Sequence, residues 1–381
     1  MRVLILGPDH PGGSLPPYLD ALAAGLRRHG VAVDRHGSAG LPYDQARRRF
    51  WPAGRVIDCA RTLIDQADLG AYDLLSVHFG NLEIDQLAPV LWAAQPHPPA
   101  ICHVHTLEPT LFRDHLPDPR WQHAVQRGIT TFDGYIYFGQ YARARQAAAL
   151  PAGVPSGVAW LPTTIPPGTP PSASPALAAA LNPPDNRPII SLYGYAAPWK
   201  DAALLHAAAQ QMRVPARIVL AGEFWDDPEQ ADADLTQPAR PAHRGAAELV
   251  VVPGYLHPPD RAALVRASTA AVFPYRTHPS FQGSGAIADY LAHDVPVVAT
   301  DTANMAELAG SAGRIVPPAD PAALAAALDS AATSATLARP ARNLSTHAGR
   351  FTAGAHAARC LEIYHQVLAR ARAGTAWTRP G

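Results

Sequence analysis

The 381-residue sequence has no net charge, few cysteines and no long apolar run. Lysine plus arginine and aspartate plus glutamate number 31 each, so we expect no basic surface for nucleic acid. No apolar stretch is longer than a strand, which argues against a transmembrane helix. The three cysteines, Cys59, Cys102 and Cys360, are odd in number and widely spaced. They predict a cytoplasmic protein without a disulfide framework.

What the sequence does contain is a regular alternation of apolar runs with helical patterns. The first residues, "MRVLILGPDHPGG", are too short an apolar run for a signal peptide, and we interpret them as a first core strand. Runs such as "DLLSV" and "PIISLYG" are typical of buried strands, and "YLDALAAGLRRHG" is typical of a helix. The alternation predicts an α/β fold with two doubly wound, Rossmann-like domains.

The Pro-rich segment 166–188 interrupts this alternation, and we place a linker there. The predicted domains are residues 1–165, on the acceptor side, and 189–350, which bind a nucleotide sugar. A final helix in 351–381 is predicted to cross back to the first domain. The two sheets are expected to face a central cleft, with ligands at the carboxyl ends of the strands.

In the first domain, the turn "GPDHPGGSLPP" places Gly12 and Gly13 before a helix N-terminus, where backbone amides favour an anion. The glycine spacing differs from that of the dinucleotide fingerprint. Further along, "ICHVHTLEP" puts His103 and His105 on one face of a strand, and His78 ends a neighbouring strand. Three readings stay open for these histidines: contact with a sugar hydroxyl, a metal site, or imidazoles satisfied in the core.

In the second domain, "LYGYAAPWKDAALL" places Lys200 in a strand-to-helix loop, where an ammonium group can bind phosphate. The stretch "QGSGAIADYLAHDVPVVATDT" opens a helix at Gly283, Ser284 and Gly285, whose amides form a second candidate anion site. Asp289 follows about one helical turn later, where a carboxylate can accept the two hydroxyls of a ribose. Together these groups predict a site for a nucleoside diphosphate.

These motifs resemble the GT-B glycosyltransferases, specifically the retaining family 4 enzymes related to glycogen synthase and mannosyltransferases. The resemblance spans nearly the whole chain and is strongest from 190 to 320. "YGYAAPWKDAALLHAA" is similar to the family's Gly-to-Lys loop, which implies that Lys200 binds the diphosphate. "VVVPGYLHPPDRAALVRAS" implies that Tyr255 lies near the base. "HTLEP" resembles the family's His-Thr-Leu loop, so His105 would contact the donor sugar.

Three positions depart from the family pattern. The Arg that accompanies the loop Lys is replaced, since its candidate positions are Tyr195 and Ala197. The first acid of the family's acidic pair falls on Phe281 or, with a one-residue gap, on Gln282. The second acid is Asp289 instead of Glu.

The resemblance implies a hexosyl-type glycosyltransferase that retains anomeric configuration and needs no metal or cofactor. The expected partners are a nucleotide sugar of the UDP or GDP type and a small polar acceptor, and the expected role is in the biosynthesis of specialised metabolites. His105, Lys200 and Gln282 are the expected catalytic residues. Two alternatives remain: a nucleotide-sugar epimerase or hydrolase on the same fold, and a non-catalytic nucleotide-sugar-binding partner. No stable membrane insertion is expected.

Overall fold

The computed structural model describes residues 1–8, 13–37, 43–44, 49–50, 53–78, 87–92, 96–107, 118–194, 198–222, 247–279, 281–333 and 347–373. The chain forms two compact units. The first contains residues 1–161 and 353–381, and the second contains residues 162–352. Residues 166–188, predicted as a linker, therefore belong to the second unit.

The first unit is built on a six-stranded parallel sheet with strand order β2-β1-β5-β6-β7-β8. Leu4, Leu6, Leu75 and Val77 from its central strands form the core with Tyr135. Because these strands are buried on both faces, they are apolar without alternation. The strands are β1 (Arg2–Leu6), β2 (Ala32–His36), β5 (Leu74–His78), β6 (Ala100–His103), β7 (Gly134–Tyr137) and β8 (Ser156–Val158), with a short antiparallel pair, β3 (Tyr43–Asp44) and β4 (Arg49–Phe50), outside the sheet.

Helices connect the strands of the first unit. The last of them, the 21-residue helix α12, packs on α1 and on the sheet next to β7 and β8. Gly134 and Gly157 allow this approach, because a Cβ at either position would lie 2.6 Å from Val367 or Ile363 of α12. The helices are α1 (Leu15–Arg28), α2 (Ala53–Gln66), α3 (Ala88–Trp92), α4 (Pro119–Ile129), α5 (Gln140–Ala147) and α12 (Ala353–Ala373), with a 3-10 turn at Leu69–Ala71.

The second unit contains another six-stranded parallel sheet, with strand order β11-β10-β9-β12-β13-β14. This is the Rossmann order 3-2-1-4-5-6, in which the chain changes direction between β9 and β12. A ligand is expected at that switch point, outside the carboxyl ends of the strands. The strands are β9 (Ile189–Tyr193), β10 (Arg217–Gly222), β11 (Glu248–Pro253), β12 (Ala270–Phe273), β13 (Val297–Thr300) and β14 (Gly313–Val316).

The helices of the second unit include one inside the Pro-rich segment. Pro175 lies in the first turn of this helix, where its missing N–H costs nothing, and Leu177 and Ala180 are buried. The helices are α6 (Pro175–Leu181), α7 (Ala202–Gln211), α8 (Pro258–Ala267), α9 (Gly285–Ala292), α10 (Met305–Ala309) and α11 (Pro321–Ala332), with 3-10 turns at Pro198–Lys200, Gly310–Ala312 and Gly349–Phe351.

Both sheets have the doubly wound α/β arrangement that the sequence predicted, so this part of the fold prediction is confirmed. Each sheet is covered by helices from its own unit. The described helices include none that is both long enough and apolar enough to cross a membrane.

The contact between α1 and α12 can be tested at Gly25. A Cβ at this position would lie 2.4 Å from the carbonyl oxygen of Ala353 and 2.8 Å from Cβ of Ala357. We expect Gly25→Ala to lower the free energy of unfolding by about 1–3 kcal/mol through overpacking, although alanine is the better helix former. Gly354→Ala in α12 is the control, since no atom lies within 4 Å of its added Cβ. Equal midpoints of urea unfolding for the two variants would contradict this packing.

Candidate functional site

In the second sheet, three neighbouring strands end in glycines with positive φ: Gly194, Gly222 and Gly254. The amide of Gly194 donates to the carbonyl of Ala221, and that of Gly254 donates to the carbonyl of Gly222. A Cβ on Gly222 would lie 1.9 Å from the carbonyl oxygen of Gly194, so only glycine fits there. The carboxyl edge of the sheet, beside the switch point at β9, is therefore lined by glycine backbone without side chains.

Lys200 lies next to this edge, at the end of a 3-10 turn that follows β9. Its Nζ donates to the carbonyl oxygen of Tyr193 at 3.3 Å. A Cβ on Gly194 would lie 2.8 Å from Nζ, so the glycine leaves room for the ammonium group. Asp201 then caps α7 by accepting from the amide of Leu204 at 3.1 Å. The turn and the cap together hold Lys200 at the strand end.

The charge of Lys200 has no counter-ion among the described residues. Burial lowers the pKa of Lys200 to about 7, because no carboxylate offsets the cost of desolvating the ammonium group. Lys200 is also the only lysine of the sequence, since every other one of the 31 Lys and Arg residues is an arginine. An amine can give up its proton in the empty site, whereas a guanidinium cannot.

The turn before α9 contains the other predicted anion-binding amides. Ser284 is the N-cap residue of α9, and its hydroxyl lies 3.1 Å from that of Tyr275. Gly285 begins the helix and is exposed, whereas Gln282 is buried. The carbonyl of Gln282 accepts from the amide of Asn304 at 2.8 Å, which links this turn to the start of α10. Gly283 is close-packed, since a Cβ there would lie 3.1 Å from Leu308.

Aromatic packing joins the Lys200 turn to the turn before α9. The carbonyl of Trp199 accepts from the amide of Arg276 at 2.9 Å. The ring of Trp199 lies 5.2 Å from that of His278 and 6.5 Å from that of Phe281, centroid to centroid. Phe281 in turn packs edge-on against Tyr275. The structure thus brings the Lys200 turn and the turn before α9 to the same edge of the sheet.

Asp289 lies in the interior of the second unit and is 0% exposed. Its Oδ1 accepts from the Thr163 hydroxyl at 2.7 Å and from the Thr164 amide at 2.6 Å. Its Oδ2 accepts from the hydroxyls of Tyr193 and Thr164 and lies 3.7 Å from Arg261 Nη1. The ribose contact predicted for Asp289 stays a prediction, and a ribose would have to displace one of these donors. The observed contacts fix residues 163–164 to the sheet.

Two further predicted ligand residues lie at strand or helix ends, and a third lies outside the described residues. Tyr255 follows β11 and packs edge-on against His257, with ring centroids 5.1 Å apart. Gly13 precedes α1 with a φ of 100°, a conformation that favours glycine. Gly12 is not among the described residues, nor are Tyr195 and Ala197, the candidate positions for the family Arg.

In the first unit, the predicted His105 belongs to a buried network that we call the histidine cluster. Its members are linked by hydrogen bonds and lie at the carboxyl ends of β5 and β6, near the switch point beside β1. The cluster consists of Tyr18, Ser76, His78, His103, His105, His356 and Tyr364.

All four imidazoles of the cluster are neutral at pH 7. Burial lowers the pKa of His105 to about 3 and that of His356 to about 4, with a smaller contribution to His105 from His356. Burial also holds the pKa values of His78 and His103 well below the usual range, and neighbouring imidazoles lower them further. Of the four histidines, only His105 is partly exposed. It is therefore the member of the cluster that a ligand can reach.

One group in this region has the spacing of metal ligands. Donor atoms of His103, His356 and Cys360 lie within 4.8 Å of one another. The Tyr18 hydroxyl, however, hydrogen-bonds both His103 Nδ1 and His356 Nε2, at 3.1 and 3.0 Å. A metal bound to these nitrogens would have to break both bonds. The prediction that the protein uses no metal stays a prediction.

Sequence reasoning missed several residues of these two sites. Tyr18, His356 and Tyr364 are in α1 and α12, where they occupy apolar positions of helical patterns. Arg261 and Thr164 lie far along the chain from Asp289. Contacts across such separations leave no local pattern. The available signal was the presence of polar residues at buried positions of otherwise apolar helices.

Residues 187–334 match the family described as glycosyl transferases group 1. This segment covers most of the second unit and includes Lys200 and the turn before α9. No curated protein shows significant similarity to the sequence.

Solved structures match over nearly the full chain. Sucrose-phosphate synthase from Thermosynechococcus elongatus has a TM-score of 0.68 at 18% identity, covering 97% of this chain and 99% of that chain. HepE from Anabaena, in complex with UDP and glucose, has a TM-score of 0.65 at 16% identity, covering 96% and 100%. AviGT4, a glycosyltransferase involved in avilamycin A biosynthesis, has a TM-score of 0.58 at 20% identity, covering 97% and 98%. The chain thus has the GT-B fold of glycosyltransferases.

The contacts of Asp289 predict its effect on stability. Asp289→Asn would leave the cation of Arg261, whose side chain is 6% exposed, without its counter-ion. We expect a loss of about 3–5 kcal/mol in the free energy of unfolding, measured by urea denaturation. Asp294→Asn is the control, because it makes the same change at an exposed position five residues along the chain. Similar losses for both variants would show that the buried ion pair contributes little.

Proposed function

We propose that this protein is a glycosyltransferase that moves a hexosyl group from a nucleoside-diphosphate sugar to a small polar acceptor. The match of residues 187–334 to group 1 glycosyltransferases and the GT-B fold support sugar transfer. HepE binds UDP and UDP-glucose, which supports a donor of the UDP or GDP type. AviGT4 supports a place in specialised metabolism for an enzyme with this fold.

The single observation that carries this proposal is the uncompensated ammonium group of Lys200 at the switch point of the second sheet. Its only bond to the described residues is the 3.3 Å contact with a carbonyl oxygen. Gly194 lies beside it without a side chain, and the Lys200 turn is hydrogen-bonded to Arg276, which precedes the turn before α9. A diphosphate would supply the missing negative charge and would raise the pKa of Lys200.

In the proposed reaction, this chain's groups stabilise the departing diphosphate electrostatically. Lys200 supplies a positive charge, and the amides of Gly13, Ser284 and Gly285 supply hydrogen bonds. His105 and Gln282 contact the donor sugar, and Tyr255 lies beside the base. Gly12 and Gly283 belong to the same two turns, where the absence of a side chain leaves room for the backbone. Asp289 accepts the ribose hydroxyls in this proposal, and they take the place of one of its present donors.

The remaining parts of the proposal follow from the family resemblance. The transfer retains the anomeric configuration, and electrostatic stabilisation by the chain's own groups takes the place of a metal. The enzyme acts in the cytoplasm. Product analysis by NMR, with the donor of known anomeric configuration, tests retention through the coupling constant of the new glycosidic proton.

The titration of Lys200 gives a pH-dependent prediction for nucleotide binding. The site binds a diphosphate best when Lys200 is charged, and its pKa in the free protein is about 7. Affinity for UDP, measured by calorimetry between pH 7 and 9, should therefore fall as pH rises, by at most about tenfold per unit. Lys200→Arg keeps its charge throughout this range and should abolish the pH dependence. Lys200→Met should weaken binding about ten- to a hundred-fold at pH 7.

Wild-type affinity that does not change with pH, or an unchanged affinity in Lys200→Met, would contradict the assignment of Lys200. The same experiment with GDP and dTDP identifies the base.

Incubation with the preferred nucleotide sugar and no acceptor then separates a transferase from an epimerase or hydrolase and from a non-catalytic partner. Rapid, complete donor turnover indicates an epimerase or hydrolase, and tight binding without product under any acceptor indicates a non-catalytic partner.

A further inference from the structure

The histidine cluster contains a hydrogen-bonded path that begins at a fixed acceptor. The Nδ1 atom of His356 lies 2.7 Å from the carbonyl oxygen of Trp160. A carbonyl oxygen only accepts, so Nδ1 carries the hydrogen. Because a neutral imidazole has one N–H, Nε2 of His356 is then an acceptor. Two groups face this nitrogen, the Tyr18 hydroxyl at 3.0 Å and the Cys360 thiol at 3.5 Å. Because a thiol is the weaker donor, the Tyr18 hydroxyl donates to it.

This first assignment fixes the next ring. With its one hydrogen directed at His356, the Tyr18 oxygen can only accept from His103 Nδ1, at 3.1 Å. Nδ1 of His103 therefore carries the hydrogen, and its Nε2 needs a donor. The Ser76 and Tyr364 hydroxyls lie 3.1 and 3.0 Å from that nitrogen and 2.8 Å from each other. One of them donates to His103, and the hydrogen of the other bridges the two hydroxyls.

The hydroxyl hydrogens of Ser76 and Tyr364 are both used in these bonds, so neither can be donated to His78. Nε2 of His78 lies 2.9 Å from the Ser76 oxygen, so the imidazole must donate to it. Nδ1 of His78 is then an acceptor. His105 Nε2, 3.2 Å away, must donate to that atom. Every hydrogen on the path therefore points from His105 toward Trp160.

We propose that the Trp160 carbonyl and the Tyr18 hydroxyl, acting along this path, fix His105 as the Nε2–H tautomer and leave its Nδ1 as an acceptor. That nitrogen makes no hydrogen bond to the described residues, and His105 is the partly exposed histidine of the cluster. It is placed to accept a hydrogen bond from a ligand hydroxyl. The identity of that hydroxyl as a sugar group rests on the proposed function. Tyr18, His78 and His103 are positioning residues.

The low pKa values of all four rings support the path, because each imidazole then carries a single N–H at pH 7. A second N–H on any ring would add a donor, and the hydrogen bonds of the path would then no longer all point from His105 toward Trp160. The aromatic contacts keep the rings in place independently of the hydroxyl. The Tyr18 ring packs edge-on against His105 and His356, with centroids 5.0 and 5.4 Å apart.

Histidine tautomers can be read directly by long-range proton–nitrogen NMR of the full chain labelled with ¹⁵N-histidine. The four cluster signals among 17 histidines are assigned from single His→Gln variants. In the wild-type protein at pH 7, we expect His105 and His78 as Nε2–H and His103 and His356 as Nδ1–H. A His105 signal with the Nδ1–H pattern would overturn the proposal.

Tyr18→Phe removes the hydroxyl and keeps the ring. His103 then avoids a buried, unpaired Nδ1–H by moving its hydrogen to Nε2, which reverses the bonds to Ser76, His78 and His105. We expect His105 to lose the Nε2–H pattern in this variant. Tyr364→Phe is the matched control, because Ser76 still donates to His103 directly. A His105 signal unchanged by Tyr18→Phe, or changed equally by both variants, would contradict the path.

The NMR readout needs no activity, so it separates this proposal from the proposed function. If the protein transfers sugar, Tyr18→Phe should lower kcat/KM for the nucleotide sugar about tenfold and leave the Kd for UDP unchanged. An expected tautomer change without any transferase activity would support the path and contradict the proposed function. An unchanged His105 tautomer in Tyr18→Phe together with normal transferase activity would contradict the path and support the proposed function.

Discussion

Removing a charged or hydrogen-bonding group from water costs free energy unless the fold supplies a partner, and this constraint orders both sheets of the protein. The parallel strands bring polar side chains to the sheet edge and bury many of them. In the first unit, seven side chains hydrogen-bond to one another in the histidine cluster. In the second unit, Asp289 accepts hydrogen bonds from Thr163, Thr164 and Tyr193 and forms an ion pair with Arg261. Lys200 differs, because it has a carbonyl contact and no counter-ion among the described residues.

That difference explains why a lysine suits the position. Burial lowers the pKa of Lys200 to about 7, so the empty site can exist without a full buried charge. A bound diphosphate stabilises the charged form of Lys200. The free energy of protonating the amine is therefore included in the free energy of binding. An arginine would remain charged and would need a permanent partner. In a chain whose other basic residues are all arginines, the amine therefore marks the site where charge changes with ligand.

Much of the fold was predictable, because it depends on local patterns. Helix α11 (Pro321–Ala332) carries such a pattern, since Asp320 caps it and Pro321 occupies the first turn. The strand before Lys200 was predicted to within one residue of each end. The short helix Pro175–Leu181 was not predicted, because the surrounding prolines hid the apolar positions that pack on the sheet.

The sites were predictable only in part. Lys200 and the turn before α9 lie in strand-to-helix loops, so the local sequence pattern revealed them. The partners of Asp289 and most partners of His103 could not be predicted, since Thr163 lies 126 residues from Asp289 and Tyr364 lies 261 residues from His103. Tertiary folding alone brings them together. The same packing gives Asp289 a set of protein donors that its helical position did not suggest.

The most direct test of the central claim is the pKa of Lys200, measured by NMR on protein labelled with ¹³C-lysine. As the only lysine of the sequence, it gives a single side-chain signal that needs no assignment. The account predicts a titration midpoint near 7 in the free protein. With saturating UDP, the midpoint should lie at least about one unit higher. A midpoint near 10.4 in the free protein, unchanged by UDP, GDP and dTDP, would contradict it.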